Sequence, residues 1–264
     1  MLEVPLNPGS GGTRRATLRE LTGREEAQFS EPRPLLASEL VERLWVSSPA
    51  APRDARTLGV AERDRILAEL YLRYYGDRVE SVATCDECRE PFGVAFPLRP
   101  LIAAALRPPE APLAMKGPDD EGAYRLEGGC RFRLPTLGDE RALAALPVQE
   151  LAHRLLERCV LEGRLDEWAE RVEEAMGALA PELATEIRVI CAHCGAEKLV
   201  WFDIGSFLIA ALARERPLLA REVHCLARAY GWTHGEIMAL SRSERREYVA
   251  LVLAETDATR ELRA

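Results

Sequence analysis

Two widely separated pairs of cysteines constrain the fold of this chain more than any other feature of its sequence. Cys85 and Cys88 form the first C-x-x-C pair, and Cys191 and Cys194 form the second, about a hundred residues later. Each C-x-x-C turn presents two sulfurs on one side, and two turns complete the tetrahedral thiolate shell that zinc prefers. We therefore expect these cysteines to hold one structural zinc ion per chain.

Two other interpretations of the cysteines stay open. Each pair could be a reduced or redox-active dithiol without metal, or all four could bind an iron–sulfur cluster. The residues after both pairs are strand-like, whereas a thioredoxin-like C-x-x-C pair opens a helix, which favours the metal site over the dithiol. Four protein ligands leave no coordination position for water or substrate, so the pattern indicates a structural site rather than a catalytic one.

The other reactive side chains do not form a recognisable catalytic motif. His193 lies between the second pair of cysteines, where four thiolates already complete the shell. Adjacent residues on a helix point apart, which argues against nucleophilic chemistry by His224 and Cys225. Cys130 and Cys159 are interpreted as small core residues. The sequence has no nucleophile elbow and no phosphate-binding glycine loop, so we predict no catalytic residues, no small-molecule substrate and no enzymatic activity.

Composition limits the classes of protein to which this chain can belong. The length of 264 residues allows one large domain or two small ones, and 47% of the residues are hydrophobic, enough to build a core. The formal net charge of −8 disfavours a primary role in nucleic-acid binding, because neutralising phosphates requires clustered Lys and Arg. Seven cysteines, an odd number, do not indicate a disulfide framework. Without a long apolar run or a signal-peptide pattern, we expect a cytoplasmic location and no membrane contact.

The apolar periodicity and the turn signals predict an α+β fold that is mostly helical. It is organised around a zinc-ribbon-like pair of β-hairpins, with a long helical insertion and a helical C-terminal region. Residues 1–34, rich in Gly and Pro, are predicted to be a flexible tail with a short helix near Leu18 to Phe29, and residues 35–264 a single domain. That domain divides into N-terminal helices (35–78), a first zinc hairpin (79–100), an insertion with a loop, a short hairpin and helices (101–185), a second zinc hairpin (186–203) and C-terminal helices (204–264).

Local signals predict several element boundaries. Apolar side chains at helical spacing predict a helix from Glu62 to Tyr75, which Gly76 ends. The segments on either side of Glu127-Gly128-Gly129 are expected to pair as a hairpin. Two capping boxes, Thr233-x-x-Glu236 and Ser241-x-x-Glu244, predict the starts of two helices.

Two further features concern the loop and the cysteine segments. The proline-rich residues 107–122 are predicted to be a loop. The segments VATCDECREPFGVAFPL and RVICAHCGAEKLVWFDI share a strand, turn and strand order. This weak internal repeat predicts two hairpins that pack with pseudo-two-fold symmetry.

Three stretches of sequence carry a resemblance to a known family. They are FDIGSFLIAALARERPLLAREVHCLARAYGWTHGEIMALSRSERREYV, RDRILAELYLRYYGDRVESVATCDEC and RFRLPTLGD. Together they resemble the T-even-phage-type baseplate hub assembly chaperone family, over about residues 60 to 252. Family members occur in gene clusters for phage tails and phage-tail-like contractile injection systems. Asp86 and Ala192 stand where the family's turns usually carry proline, and Arg216-Pro217 predicts a break in a helix that the family keeps continuous.

The resemblance implies a non-enzymatic assembly chaperone, or a minor component, of the baseplate or hub of a contractile particle. Its partners would be hub, spike or other tail-particle proteins. The candidate contact residues are Arg221, His224, Tyr230 and Trp232, although both aromatics could instead pack the helix corner. Two alternatives stay open: a zinc-ribbon regulator that binds nucleic acid, for which the hairpin strands supply few Lys or Arg, and a thiol- or metal-dependent enzyme.

Overall fold

The structure, a computed structural model, describes residues 1–6, 14–29, 35–47, 52–106 and 115–261. They form an α+β fold in which about half of the chain is helical and the sheets are small and antiparallel. The helices are α1 (Gly23–Glu26), α2 (Leu36–Leu44), α3 (Val60–Tyr75), α4 (Arg99–Ala105), α5 (Leu137–Leu143), α6 (Val148–Cys159), α7 (Leu165–Leu179), α8 (Ile204–Arg214), α9 (Arg216–Tyr230), α10 (His234–Ala239) and α11 (Arg242–Glu261). The strands are β1 (Leu2–Pro5), β2 (Arg15–Leu18), β3 (Trp45–Val46), β4 (Arg78–Thr84), β5 (Pro91–Pro97), β6 (Met115–Lys116), β7 (Ala123–Leu126), β8 (Arg131–Arg133), β9 (Val160–Glu162), β10 (Ala184–Ile190) and β11 (Glu197–Asp203). None of the described helices combines the length and the apolar character that crossing a membrane requires.

The first residues of the chain belong to the main core. Strand β1 pairs antiparallel with β2, and β3 extends this sheet by pairing with β2. Val4, Ala16 and Leu18 are fully buried in the same hydrophobic cluster as the apolar faces of α2 and α3. The N-terminal residues are thus held by tertiary packing.

The prediction of a flexible tail over residues 1–34 is therefore wrong for residues 1–6 and 14–29. Residues 7–13 and 30–34 lie outside the described part of the chain. Strands of four residues carry little local signal, and they are stable only because they pair with each other and cover the core. The domain boundary predicted at residue 35 is wrong for the same reason.

Helix α3 lies at the centre of the main core. Its buried residues Ile66, Leu67 and Leu70 recur at helical spacing, and the helix packs against α2 and α8. Burying each such side chain contributes about 1.5–3 kcal/mol. The helix ends at Tyr75 and is capped by Gly76, whose φ of 79° is accessible to glycine at little cost. The helix predicted from Glu62 to Tyr75 is confirmed.

The insertion between the two cysteine hairpins has a smaller core of its own. Strands β6 to β9 form one sheet in sequence order, and α7 packs on it through Val172 and Ala175. The predicted hairpin is confirmed as β7 and β8, and the predicted burial of Cys130 and Cys159 is also confirmed. The predicted loop is shorter than expected because Met115 and Lys116 form β6; residues 107–114 lie outside the described residues.

The C-terminal helices begin and end at the residues that the capping signals predict. Helix α8 ends at Arg214 and α9 begins at Arg216, so the break predicted at Arg216-Pro217 is confirmed. Helix α9 ends at Tyr230, and the capping residue Gly231 has a φ of 68°. The Thr233 and Ser241 hydroxyls both take part in capping boxes, at the starts of α10 and α11.

Candidate metal centre

Each C-x-x-C pair lies in the turn of a seven-residue antiparallel hairpin, β4 with β5 and β10 with β11. In the first turn the Cys85 N–H donates to Glu90 O at 3.0 Å, and the Cys85 carbonyl accepts from the Arg89 N–H at 2.9 Å. In the second turn Cys191 makes the two equivalent bonds, both at 2.9 Å. The two turns therefore share one backbone geometry, as the internal repeat predicts.

This turn requires a left-handed residue immediately after the second cysteine. Gly195 occupies that position in the second turn with a φ of 75°, and Arg89 occupies it in the first with a φ of 64°. Glycine adopts this conformation freely, whereas a side chain makes it cost about 1–2 kcal/mol. The first turn therefore includes a conformational cost at Arg89 that the second turn, with Gly195, does not have.

The two turns bring all four cysteine sulfurs together. Their Sγ atoms lie within 4.8 Å of one another. The Sγ–Sγ distance is 3.6 Å between Cys85 and Cys194 and 3.8 Å between Cys88 and Cys191, so each short distance joins the two hairpins. Zinc–sulfur bonds of about 2.3 Å place the sulfurs of a tetrahedron about 3.8 Å apart. The donor set and its spacing both fit a four-coordinate thiolate metal site.

Backbone N–H groups in the turns favour the thiolate that a metal ligand requires. The Cys88 N–H hydrogen-bonds to the Cys85 sulfur and lowers the pKa of Cys85 to about 6. The Glu90 N–H acts in the same way on Cys88, but desolvation and the three neighbouring sulfurs outweigh it and raise the pKa of Cys88 to about 12. The four sulfurs thus compete for negative charge, and a divalent cation among them would remove that competition.

An apolar cluster supports the sulfurs from within. Cys85 and Cys191 are buried with Phe92 and Val94, whereas Cys88 is half-buried and Cys194 is exposed. The site is therefore closed on the side of the hairpins and reachable from solvent on the side of Cys194.

Two polar contacts also join the hairpins. Lys198 of the second hairpin has its Nζ atom 3.4 Å from the carboxylate of Asp86 and 3.5 Å from that of Glu87, both in the turn of the first hairpin. His193 Nε2 lies 3.1 Å from the carbonyl oxygen of Pro91. The His193 ring therefore contacts backbone of the other hairpin, in keeping with its predicted position outside the ligand shell.

The four residues predicted as a partner surface lie on or next to α9. Arg221 and His224 are exposed. Tyr230 stacks on Trp232 with 4.7 Å between ring centroids, and both rings meet Tyr248 of α11 edge to face. The aromatic pair thus packs at the helix corner, while Tyr230 keeps 39% of its surface exposed.

Sequence reasoning missed a set of buried charges that joins the ends of the chain. Arg242 and Arg245 of α11 are almost fully buried beside Glu26 of α1. Arg245 also pairs with Glu222 at 2.9 Å, and Arg242 pairs with Glu215. Arginine is expected at a surface, so the run SRSERR gives no local signal that two of its members are core residues.

A second buried carboxylate, Asp139, was also missed. It receives hydrogen bonds from Arg133 at 2.6 Å and Arg158 at 2.8 Å, which join α5 to β8 and α6. Burial favours the neutral acid, but these guanidinium groups and the Thr136 cap outweigh it and hold the pKa of Asp139 well below its usual range.

A cleft of about 810 Å³ lies between the start of α3, the four-stranded sheet, α6 and α7. Leu155, Leu156 and Met176 give it an apolar side. Several of its charged residues have structural partners: Glu62 accepts from Arg14 and from the N–H of Gly59, and Arg133 binds Asp139. The cleft therefore has an apolar side, and the charges of Glu62 and Arg133 at its wall are paired with other protein groups.

No protein-family model, curated protein or solved structure matches this chain. The family resemblance of its sequence accordingly stays a prediction. Among the described residues, the four-cysteine cluster is the feature with the most specific chemistry, because soft donors at tetrahedral spacing select a narrow class of metal ions.

Proposed function

We propose that this protein is a non-enzymatic assembly factor, or a minor component, of the baseplate or hub of a contractile phage-tail-like particle. It acts by binding other particle proteins, and a structural zinc ion stabilises it. The observation that carries the proposal is the convergence of four thiols from two hairpins about a hundred residues apart. The sequence resemblance supplies the biological setting.

Zinc is the metal that this donor set favours. Four cysteines at tetrahedral spacing suit zinc, and both hairpins resemble the halves of a zinc ribbon. Cys85, Cys88, Cys191 and Cys194 would hold the ion, and its binding would contribute folding free energy on the order of 10 kcal/mol. Because protein ligands fill the shell, the ion would support the fold without activating water.

The stretches that carry the resemblance lie at structurally central places. RDRILAELYLRYYGDRVESVATCDEC runs from α3 through β4 into the first cysteine turn, and RFRLPTLGD covers β8 and the start of α5. The longest stretch runs from the end of β11 into α11. These segments include the contact of α3 with α8 and the buried arginines, so the resemblance concerns the framework of the fold more than one surface loop.

Co-production with candidate partners tests the proposal. The tagged full-length chain is produced together with the hub, spike and baseplate proteins of a contractile phage-tail-like particle, and recovered complexes are identified by mass spectrometry. We expect recovery of a hub or spike protein with the tagged chain and none with the tag alone. Recovery of no particle protein, together with salt-sensitive binding to DNA or RNA, would replace the proposal with a nucleic-acid-binding regulator.

A further inference from the structure

The outer face of the second hairpin carries a stripe of exposed apolar side chains. Ile190, Leu199 and Trp201 expose 70%, 58% and 61% of their surface. Side chains alternate between the two faces of a strand, so Leu199 and Trp201 point away from the buried side that Phe202 occupies. A tryptophan exposed to this degree is unusual, because this residue is highly buried on average.

Two residues of this stripe, Leu199 and Trp201, also have backbone N–H and C=O groups that make no hydrogen bond to β10. Hydrogen bonds from Cys191 N–H to Ala196 O and from Ile204 N–H to Leu183 O fix the two ends of the ladder with β10. Because hydrogen-bonded and non-hydrogen-bonded pairs alternate, the N–H and C=O groups of Leu199 and Trp201 point away from β10. Within the described ranges, no backbone group pairs with this edge.

The other three hairpin edges are protected against pairing. On β5, Pro91 and Pro97 occupy outward positions, where proline has no N–H to donate. The outward positions of β4 include Arg78 and Glu80, and those of β10 include Glu186 and Arg188. Charges and prolines are the usual means of blocking an edge strand. On β11 the outward charges, Glu197 and Asp203, lie at the two ends of the strand, and the large apolar residues Leu199 and Trp201 lie between them.

We propose that the free edge of β11 binds an extended segment of a partner protein, which adds a third strand to the second hairpin. Strand addition supplies main-chain hydrogen bonds, and alternate side chains of the incoming segment would pack beside Leu199 and Trp201. This inference rests on the proposed function and specifies how that partner is held.

The size of the stripe favours a peptide segment over a second copy of the chain. Its three side chains expose on the order of 400 Å² together, whereas each side of a stable interface buries about 800 Å². Pairing of two β11 edges would also bring together two chains that each carry a net charge of −8. An extended segment needs only the edge and the alternate side-chain positions.

The first hairpin supplies the design of the test variant. Counted from the second cysteine of each turn, Glu197 and Trp201 correspond to Pro91 and Ala95. The double variant Glu197→Pro/Trp201→Ala therefore places on β11 two residues that the same turn geometry already accepts on β5. The double variant removes one outward N–H and the largest exposed side chain of the stripe. Its zinc content and its circular-dichroism spectrum show whether the chain still folds.

Selection from a displayed library of short random peptides on the zinc-loaded full chain provides the probe. We expect enriched peptides with alternating apolar residues, and the double variant should weaken their binding about tenfold or more. Val82→Ser, on the outer face of the first hairpin, is the matched control and should leave binding unchanged. The amides of Leu199 and Trp201 should become protected from hydrogen exchange when peptide binds.

Each other outcome overturns part of the proposal. Peptides that bind the double variant as well as the wild type, or a selection that enriches none, would remove the edge as a binding site. A wild-type dimer that the double variant abolishes would make the occupant a second copy. Recovery of the hub or spike protein by both the wild type and the double variant would refute the edge as the binding site and leave the proposed function intact. Peptide binding that depends on the edge, without recovery of a hub or spike protein, would support the edge as a binding site and refute the proposed function.

Discussion

The guanidinium of Arg245 in α11 donates a hydrogen bond of 2.9 Å to the carboxylate of Glu26 in α1, 219 residues earlier in the chain. Both side chains are buried, with 0% and 7% of their surface exposed. Glu26 also faces Arg242, so two arginines share one carboxylate at the place where the N-terminal segment meets the last helix. This contact makes the two ends of the chain depend on each other.

Replacing Glu26 with alanine should destabilise the fold by about 1.5–3 kcal/mol, because it removes the carboxylate that two buried guanidinium groups share, while Glu215 and Glu222 remain as their partners. The shift in the urea midpoint of the zinc-loaded protein measures this loss. Arg24→Ala, an exposed neighbour on the same helix, should change stability by no more than about 0.5 kcal/mol. A loss as small in Glu26→Ala as in the control would show that the buried pair contributes little.

Removing the metal should loosen both cysteine hairpins together, because a single ion would join their turns. Native mass spectrometry should find one zinc per chain, lost with chelator. Hydrogen exchange should then show reduced protection in β4, β5, β10 and β11 at the same chelator concentration. Cys88→Ser should abolish zinc binding, whereas Cys225→Ser on α9 should retain it. Two readily oxidised thiol pairs without bound metal would instead favour the redox interpretation.

Relieving the left-handed strain at Arg89 should stabilise the first turn. Arg89→Gly is expected to raise the free energy of unfolding by about 1 kcal/mol, since glycine adopts a φ of 64° freely. Gly195→Ala should lower it by a similar amount, through backbone conformation alone, because no atom lies within 4 Å of the added Cβ. Arg89→Ala removes the same side chain without relieving the backbone. An equal gain from Arg89→Ala would trace the effect to the side chain.

Asp139 should make a contribution to stability that disappears in acid. Its pKa is depressed in the folded protein, so its stabilisation is fully present above the unfolded pKa, near 3.9, and is lost as pH falls toward the lower folded value. The difference in unfolding free energy between wild type and Asp139→Asn should therefore be constant near neutral pH and shrink below about pH 4.

Measuring that difference at each pH separates Asp139 from the protonation of the cysteines, which affects both proteins alike. Asp166→Asn, in an exposed ion pair with Arg164, serves as the control and should differ little from wild type at any pH. A wild-type advantage over Asp139→Asn that persists undiminished at pH 2 would contradict the assignment.

The sequence by itself determined the elements whose signals are local. The apolar spacing in α3, the glycine after it and the capping boxes before α10 and α11 all act within a few residues, so their positions follow from helix geometry. The cysteine pairs belong to the same class, since a C-x-x-C turn between strand-like segments has few stable shapes. These signals were sufficient to predict the positions of the two cysteine hairpins and the four candidate metal ligands.

Apart from the two cysteine pairs, only the tertiary structure decided which residues pair over long distances. The strands β1 and β2 are too short to be stable alone, and their burial depends on a core built by residues much later in the chain. The burial of Arg242 and Arg245 depends likewise on Glu26 and Glu222, whose positions the folded chain sets. The free edge of β11 exists because no other strand of the described chain reaches it. Each of these features depends on interactions between segments that are far apart in the chain, so no short stretch of sequence determines its free energy.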